Sequence, residues 1–336
     1  MVEPVLDIRE LSIGFETRRK RHVLFERINA SALRGEFIAL IGPNGIGKST
    51  LLKTLMHILK PLKGRINLYQ KSLMEYSRQE RSHEMSFMST EMITAGHLSV
   101  ENLVALGRIP HTNWIGTLAA DDRAKIEWAI NKAKLNHIRH QNIGEISDGE
   151  RQRAMIARSI AQDTRMLILD EPTAYLDLPG RFEMLNLLKN LAKEEGKTIL
   201  FSTHDLNLVV HEVDKIWMMT DRRFEQGAPE DLMIQNAFAS LFPQEWMKIN
   251  PSDGRFIFPR HYEHTVQLEG MEELMFWTRN ALERKGFRVV HDAMCDLKVN
   301  AGSDMEGYFW EFSAAGHEAE RFRSLYSLLS AIQHLY

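Results

Sequence analysis

Three segments of the chain carry residue types whose spacing suits phosphate chemistry. The first is Gly42-Pro43-Asn44-Gly45-Ile46-Gly47-Lys48-Ser49, followed by Thr50, which fits the pattern Gly-x-x-x-x-Gly-Lys-Ser. Glycines let the backbone curl so that successive N–H groups converge on phosphate oxygens. A helix starting here adds its positive end to the same site. The pattern places Lys48 to reach the β- and γ-phosphates and Ser49 to bind Mg²⁺. At the usual glycine frequency, the pattern arises by accident in roughly 1% of chains this long. A glycine-rich turn before an ordinary helix is therefore the weaker explanation.

The second segment, Met166-Leu167-Ile168-Leu169-Asp170-Glu171, is an apolar run ending in two acids. Burying a strand that leads straight into carboxylates is costly unless they have partners. A Mg²⁺ ion held by Asp170 and an attacking water oriented or deprotonated by Glu171 are such partners. A strand end with solvated acids is the competing explanation, and it weakens once the first segment is taken into account. His204 follows a further apolar run, Ile199–Phe201. Three strand ends then converge on one edge, where ligands of open α/β sheets bind, and His204 is placed for a γ-phosphate contact. The third segment is Ile146-Ser147-Asp148-Gly149-Glu150-Arg151-Gln152-Arg153. Ser147 with Glu150 three residues on is a capping box, and the helix start it shapes is also a place for an anion.

The elements that must position these residues are legible as short apolar runs at Phe37–Ile41, Met166–Leu169, Thr198–Phe201 and Ile216–Met219. These read as buried parallel strands. Helical patterns at Lys48–Leu59 and Arg181–Glu194 alternate with them, which predicts an α/β core with a parallel sheet. Residues from about Ile93 to Ala161 read mostly as helix. Val5–Ser12 and His22–Ala32 read as strands joined by a basic link, Arg18–Arg21, taken as a solvated tip. The α/β pattern ends near Phe242, and Asn250–Gly254 is a turn signal. Beyond it, a helix is expected at Met271–Lys285, strands near Arg288–His291, Asp296–Val299 and Tyr308–Phe312, and a last helix at Glu318–His334. Tyr308, Phe309, Trp310 and Phe312 are expected to be core. The 336 residues thus divide into a domain at 1–245 and a small α+β domain at 246–336.

Bulk properties narrow the class. The apolar fraction is 44%, and a net charge of -3 argues against a broad basic face for nucleic acid. Cys295 is the single cysteine, so no internal disulfide or multi-cysteine metal site can form, which fits a reducing compartment. No run reaches the 18 or so apolar residues of a membrane helix, and no signal core opens the chain.

On these residues the chain resembles the ABC family of ATP-binding subunits. Ile146–Glu150 is similar to the family signature Leu-Ser-Gly-Gly-Gln, with Ile146, Asp148 and Glu150 replacing Leu, the first Gly and Gln; Ser147 and Gly149 are retained. Ala174-Tyr175-Leu176-Asp177 resembles the D-loop, Thr203-His204-Asp205 the switch histidine, and Phe15 the aromatic that stacks on adenine. One departure stands out. Ser89-Thr90-Glu91 occupies the place of the usual glutamine, so that Thr90, or Glu91, is left to approach Mg²⁺. The resemblance covers about Val5 to Phe242. It implies a P-loop NTPase fold: a RecA-like parallel core, an N-terminal antiparallel β-subdomain and a helical subdomain at about 91–161. It also implies ATP and Mg²⁺ as ligands and a homodimer. In that dimer the Gly42–Thr50 loop of one subunit faces Ser147, Asp148, Gly149 and Glu150 of the other.

Leu98–Arg108 and Gly149–Ala154 look like the importers of ferric siderophores, haem and cobalamin, and so does the tail after 245. The resemblance implies a subunit that hydrolyses ATP on the cytoplasmic face of the inner membrane, peripheral through transmembrane permease subunits. An extracytoplasmic binding protein would read the cargo, and no nucleic acid is expected. Two alternatives remain at this level: a soluble ABC ATPase acting on ribosomes or nucleic acid, and a low-turnover ATP-binding regulator.

Overall fold

The computed structural model describes residues 3–16, 20–90, 98–112, 116–221, 223–241, 248–249, 256–257, 260–290, 295–315 and 318–335. Glu91, the basic pair Arg18 and Arg19, and the Asn250–Gly254 turn lie outside them. The chain divides into two compact units, one holding residues 1–244 and the other most of 245–336.

In the first unit, β1 (Leu6–Glu16) and β2 (Arg21–Ala32) form an antiparallel pair, with β4 (Lys63–Leu68) and β5 (Lys71–Ser72) extending the sheet in the order β2-β1-β4-β5. The second sheet carries the site. It contains β3 (Phe37–Ile41), β6 (Met85–Met88), β7 (Met166–Leu169), β8 (Thr198–Ser202), β9 (Lys215–Met219) and β10 (Phe224–Gly227), in the order β10-β9-β3-β8-β7-β6. The pairings from β9 to β6 are parallel and that of β10 is antiparallel.

The central strands are mostly apolar because period-2 alternation sends their side chains to two faces and both are buried. Phe37, Ala39, Ile41, Leu167, Leu169, Ile199 and Phe201 face one core with the helices. Ile38, Leu40, Met166, Ile168, Leu200, Trp217 and Met219 face a second core with β1, β2 and α1 (Lys48–Leu55). Both faces are covered, so the few polar side chains these strands carry, such as Thr198 and Ser202, are themselves buried.

Helix α1 is shorter than the Lys48–Leu59 pattern predicts. It stops at Leu55 because His57 turns left-handed, with φ 55°. Among the other helices, α2 (Arg78–Glu84) precedes β6, and α3 (Val100–Ala105), α4 (Ala120–Lys132) and α5 (Asp148–Ala161) fill the interval between β6 and β7. The helical reading of that interval is thus realised as three α-helices with 3₁₀ turns between them. Helix α6 (Leu178–Glu195) is capped by Asp177, whose side chain accepts from Gly180 N, and ends at Gly196 with φ 64°, the left-handed stop that glycine allows. Helices α7 (Leu206–Glu212) and α8 (Pro229–Ile234) complete the unit.

The three-helix group is held by a buried ion pair. Arg108 Nε donates to Asp122 Oδ1 at 2.8 Å, and Arg108 Nη1 to Ala161 O at 2.9 Å. Burial alone would raise the Asp122 carboxyl, but the Ala119 amide and the Arg108 guanidinium outweigh it and hold it below the ordinary carboxylate range. Removing one partner of a buried pair leaves the other charge stranded, so Asp122→Ala should destabilise the fold by about 3–5 kcal/mol in denaturant titration. Because the folded pKa lies below the unfolded one, the pair's contribution is present above the unfolded carboxylate value. It is lost as pH falls through the folded value, and Asp122→Ala should flatten that acid limb.

Two short strands, β11 (Lys248–Ile249) and β12 (Phe256–Ile257), lie near the division between the units. The second unit has a five-stranded sheet ordered β14-β13-β15-β16-β17, from β13 (His264–Gly270), β14 (Phe287–Val290), β15 (Leu297–Asp304), β16 (Gly307–Ala314) and β17 (Glu320–Phe322). Helices α9 (Glu272–Arg284) and α10 (Leu325–Leu335) pack on one face. The aromatic run divides as strand alternation requires: Trp310 and Phe312 are buried, while Tyr308 is exposed at the strand start. Phe309 points to the opposite face, where it lies over Gly302 and under the Arg321 guanidinium. Residues 320–322 pair with β16 rather than opening the final helix, which starts at Leu325.

Candidate functional site

Strands β3, β8, β7 and β6 are neighbours in the sheet, and all four run the same way. Their carboxyl ends therefore deliver, side by side, the Gly42–Ser49 loop, Thr203–His204, Asp170–Glu171 and Ser89–Thr90. A backbone hydrogen bond ties the last two together, since Asp170 N donates to Met88 O at 2.9 Å. This edge is where open α/β sheets bind ligands.

The loop is shaped by its glycines. Gly42, Gly45 and Gly47 have φ of 155°, 79° and 113°, and a Cβ on Gly42 would lie 2.5 Å from Met219 O. A Gly42→Ala substitution should therefore displace the loop and weaken nucleotide binding, measurable as a lost fluorescence response to a labelled ATP analogue. Gly45 faces open space. Lys48 is buried, and its Nζ donates to Gly42 O at 2.7 Å and Pro43 O at 3.1 Å, clamping the loop from within. Burial pushes the Lys48 ammonium below its ordinary value, with Glu171 and Asp170 pulling it back up. Ser49 is exposed and Thr50 buried at the start of α1. Beside the loop, a cavity of about 160 Å³ is lined by Gly42, Pro43, Asn44, Thr203, His204, Leu206 and Leu241.

The two acids differ in surroundings. Asp170 is buried; its Oδ1 accepts from Ser202 Oγ at 2.6 Å, while its Oδ2 has no hydrogen-bond partner. A buried carboxylate oxygen without a donor is expensive, and a hard divalent cation that takes oxygen ligands removes that cost. The residues present thus fit Mg²⁺, with Asp170 as the anionic ligand. Glu171 is one-third exposed, and its Oε1 lies 2.6 Å from His204 Nε2. Its backbone is left-handed, φ 50°, unusual for a residue with a side chain. Both of its backbone groups are pinned: Glu171 N donates to Ser202 Oγ at 2.9 Å, and Gln152 Nε2 donates to Glu171 O at 2.9 Å.

Ser202 and Gln152 were not singled out from the sequence. A polar residue closing a wholly buried strand was the available signal for Ser202. Gln152 gave none, because its burial is set by how α5 packs beside β6 and reaches the Glu171 carbonyl.

The third segment forms the start of α5. Ser147 caps it, with Ser147 N and Oγ both donating to Glu150 Oε2, at 2.9 and 2.7 Å, and Glu150 N returning to Ser147 Oγ at 3.3 Å. Those contacts hold the Glu150 carboxyl below its ordinary value. Asp148 pairs with Arg151 Nη1 at 2.7 Å. Leu176 and Tyr175, just before Asp177, pack against Gly149. Within one chain, no hydrogen bond or ion pair joins residues 147–150 to residues 42–50 among the described residues. Phe15 is an exposed aromatic on β1, paired across the ladder with His22. Ile13 on the same strand lies beside Gly47, where a methyl group would meet Ile13 Cδ1 at 3.5 Å. Thr90 is half-buried at the end of β6.

A glycine-rich loop entering a helix, two carboxylates and a histidine, set along the carboxyl edge of the parallel strands, are the features of the P-loop nucleoside-triphosphatase fold. Comparison with known proteins narrows this. The ABC transporter family profile matches residues 25–174, and that of the Iron ABC transporter C-terminal domain matches 263–333. The iron(3+)-hydroxamate import ATP-binding protein FhuC of Bacillus subtilis is 40% identical over 202 residues, spanning 60% of this chain and 74% of that protein. The ferric enterobactin transport ATP-binding protein FepC of Escherichia coli is 30% identical over 253 residues, spanning 74% and 92%. The solved structure of CbiO1 from Clostridium perfringens, part of the ABC transporter complex CbiONQ, superposes with a TM-score of 0.58 at 30% identity, covering 72% of this chain and 96% of that one. The chain belongs to the ATP-binding subunits of ABC transporters, ATPases that energise a membrane permease. Among the described residues, no helix is long and apolar enough to cross a membrane itself.

Proposed function

We propose that this subunit hydrolyses ATP, as a dimer of identical subunits, to drive import of a ferric chelate through a permease. The observation that supports the chemistry best is the orphaned Asp170 Oδ2 beside Glu171 and His204, on the strand next but one to the phosphate loop. Gly42–Gly47 amides and the start of α1 take the phosphates, Lys48 turns from its loop carbonyls to the β- and γ-phosphates, and Phe15 stacks on adenine. Ser49 and Asp170 would hold Mg²⁺, with Thr90 or Glu91 in the place of the usual glutamine; when bound, the ion neutralises phosphate charge. Glu171 accepts a proton as a water oxygen bonds to the γ-phosphorus and the bond to the bridging β-phosphate oxygen breaks, leaving ADP and inorganic phosphate. His204 orients Glu171 and meets the γ-phosphate. Asp177 shapes the connection from Glu171 to the dimer face.

The separation of Ser147–Glu150 from Gly42–Thr50 within one chain supports the dimer, which rests on the likeness of Ile146–Glu150 to the family signature. A second copy supplies Ser147 and Gly149 to the first copy's nucleotide. The chelate assignment rests on residues 263–333, which match the Iron ABC transporter C-terminal domain, and on the names of the relatives. An extracytoplasmic binding protein and the permease would read the cargo, which this subunit does not touch, and no contact with nucleic acid enters the proposal. The test is reconstitution with its permease in liposomes: ATP-dependent uptake of a radiolabelled ferric siderophore is expected. Co-sedimentation with ribosomes and no permease-dependent uptake would sink the assignment.

A further inference from the structure

The start of α5 already holds an anion of its own. Ser147 gives both its hydroxyl and its backbone amide to a single oxygen, Glu150 Oε2, at 2.7 and 2.9 Å. These contacts favour the charged carboxylate and keep it ionised. Asp148, the other acid of the first turn, is paired with Arg151, whereas the group facing Glu150 is the His137 imidazole, with Nε2 at 3.5 Å from Oε1. An ATP phosphate brought here by a second subunit meets a helix terminus whose positive end and hydroxyl proton are engaged by an internal carboxylate. Two anions cannot share one donor set without repulsion, and a hydroxyl has one proton to give.

We infer that Glu150 is an internal competitor for the trans nucleotide: its carboxylate must surrender the Ser147 hydroxyl before the ATP-bound dimer closes, so it raises the ATP level at which closure occurs. This rests on the reading of Ser147 as a partner-subunit phosphate contact. Glu150 acts through Ser147 and the local charge, and is a positioning residue. The geometry has a further consequence. A glutamine here would still accept from the Ser147 amide and preserve the cap, but as a neutral acceptor it would hold the hydroxyl less tightly.

The experiment uses the full chain in a Glu171→Gln background, where ATP-driven dimerisation is followed by size exclusion against ATP concentration. Adding Glu150→Gln should lower the half-saturating ATP about fivefold, the difference between a charged and a neutral acceptor. In the otherwise native chain, the same substitution should lower KM for ATP with a smaller change in kcat. Glu150→Ala, which loses the cap, should lower the melting temperature while Glu150→Gln does not; that separates competition from a purely structural role. A half-saturating ATP that is unchanged or raised by Glu150→Gln overturns this inference alone. If Glu171→Gln never dimerises with ATP, or Ser147→Ala leaves dimerisation intact, the two-subunit reading fails and the inference with it.

Discussion

Replacing Glu171 by glutamine should cut ATP turnover about 10²–10⁴-fold, the usual contribution of a positioned general base. The amide keeps the shape of the side chain and its bond to His204, but it cannot accept the proton of the attacking water. Binding should persist, because Lys48 and the loop amides, not Glu171, take the phosphates. The backbone anchors also persist, since Ser202 Oγ and Gln152 Nε2 hold the main chain of residue 171 and not its side chain. The substitution should therefore leave an ATP-bound dimer that elutes at twice the monomer mass, since closure no longer ends in hydrolysis. Single-turnover kinetics with labelled ATP measure the rate and size exclusion the dimer. A variant with near-native turnover would transfer the proton-accepting role elsewhere, His204 being the nearest group.

The second large effect is expected at Lys48. Its ammonium is buried and bonded to Gly42 O and Pro43 O. Burial lowers its pKa, while the Glu171 and Asp170 carboxylates pull it back up. Charge-assisted bonds contribute about 1.5–3 kcal/mol each, so losing one or two to the β- and γ-phosphates should weaken ATP affinity about 10²-fold in Lys48→Ala, read by calorimetry. Deleting it also leaves Gly42 O and Pro43 O without their donor and frees the loop, which adds a loss of thermal stability in the nucleotide-free chain. Lys48→Arg should not rescue, because a planar fork does not replace a compact ammonium inside this loop. Unchanged affinity in Lys48→Ala would remove the loop from the phosphate site.

The central sheet was legible because both of its faces are covered. Such strands have no polar alternation to hide them, and Phe37–Ile41 and Met166–Leu169 coincide with β3 and β7. The end of α1 was not legible. Leu59 continues the apolar period, but His57 takes a left-handed turn that no local residue type announces. Residues 320–322 pair with β16 because a sheet edge was available, a tertiary fact that overrides a local helical pattern. Once β16 was a strand, alternation set Phe309 opposite Trp310 and Phe312, while Tyr308 is exposed because it lies at the strand start.

By itself the sequence determined that a glycine-rich loop at Gly42–Ser49 would join a strand to a helix and that Asp170, Glu171 and His204 would lie at strand ends, since motif chemistry and hydrophobic period are local properties. The order of the strands was decided only by tertiary structure. It sets β8 between β3 and β7, joins His204 to Glu171, and spends Ser202 on Asp170 while leaving one carboxylate oxygen bare. Tertiary structure also decided what surrounds Ser147. A capping box can be read from two residue types, but that it occupies the donors a phosphate would need depends on the distances, which only the folded chain fixes.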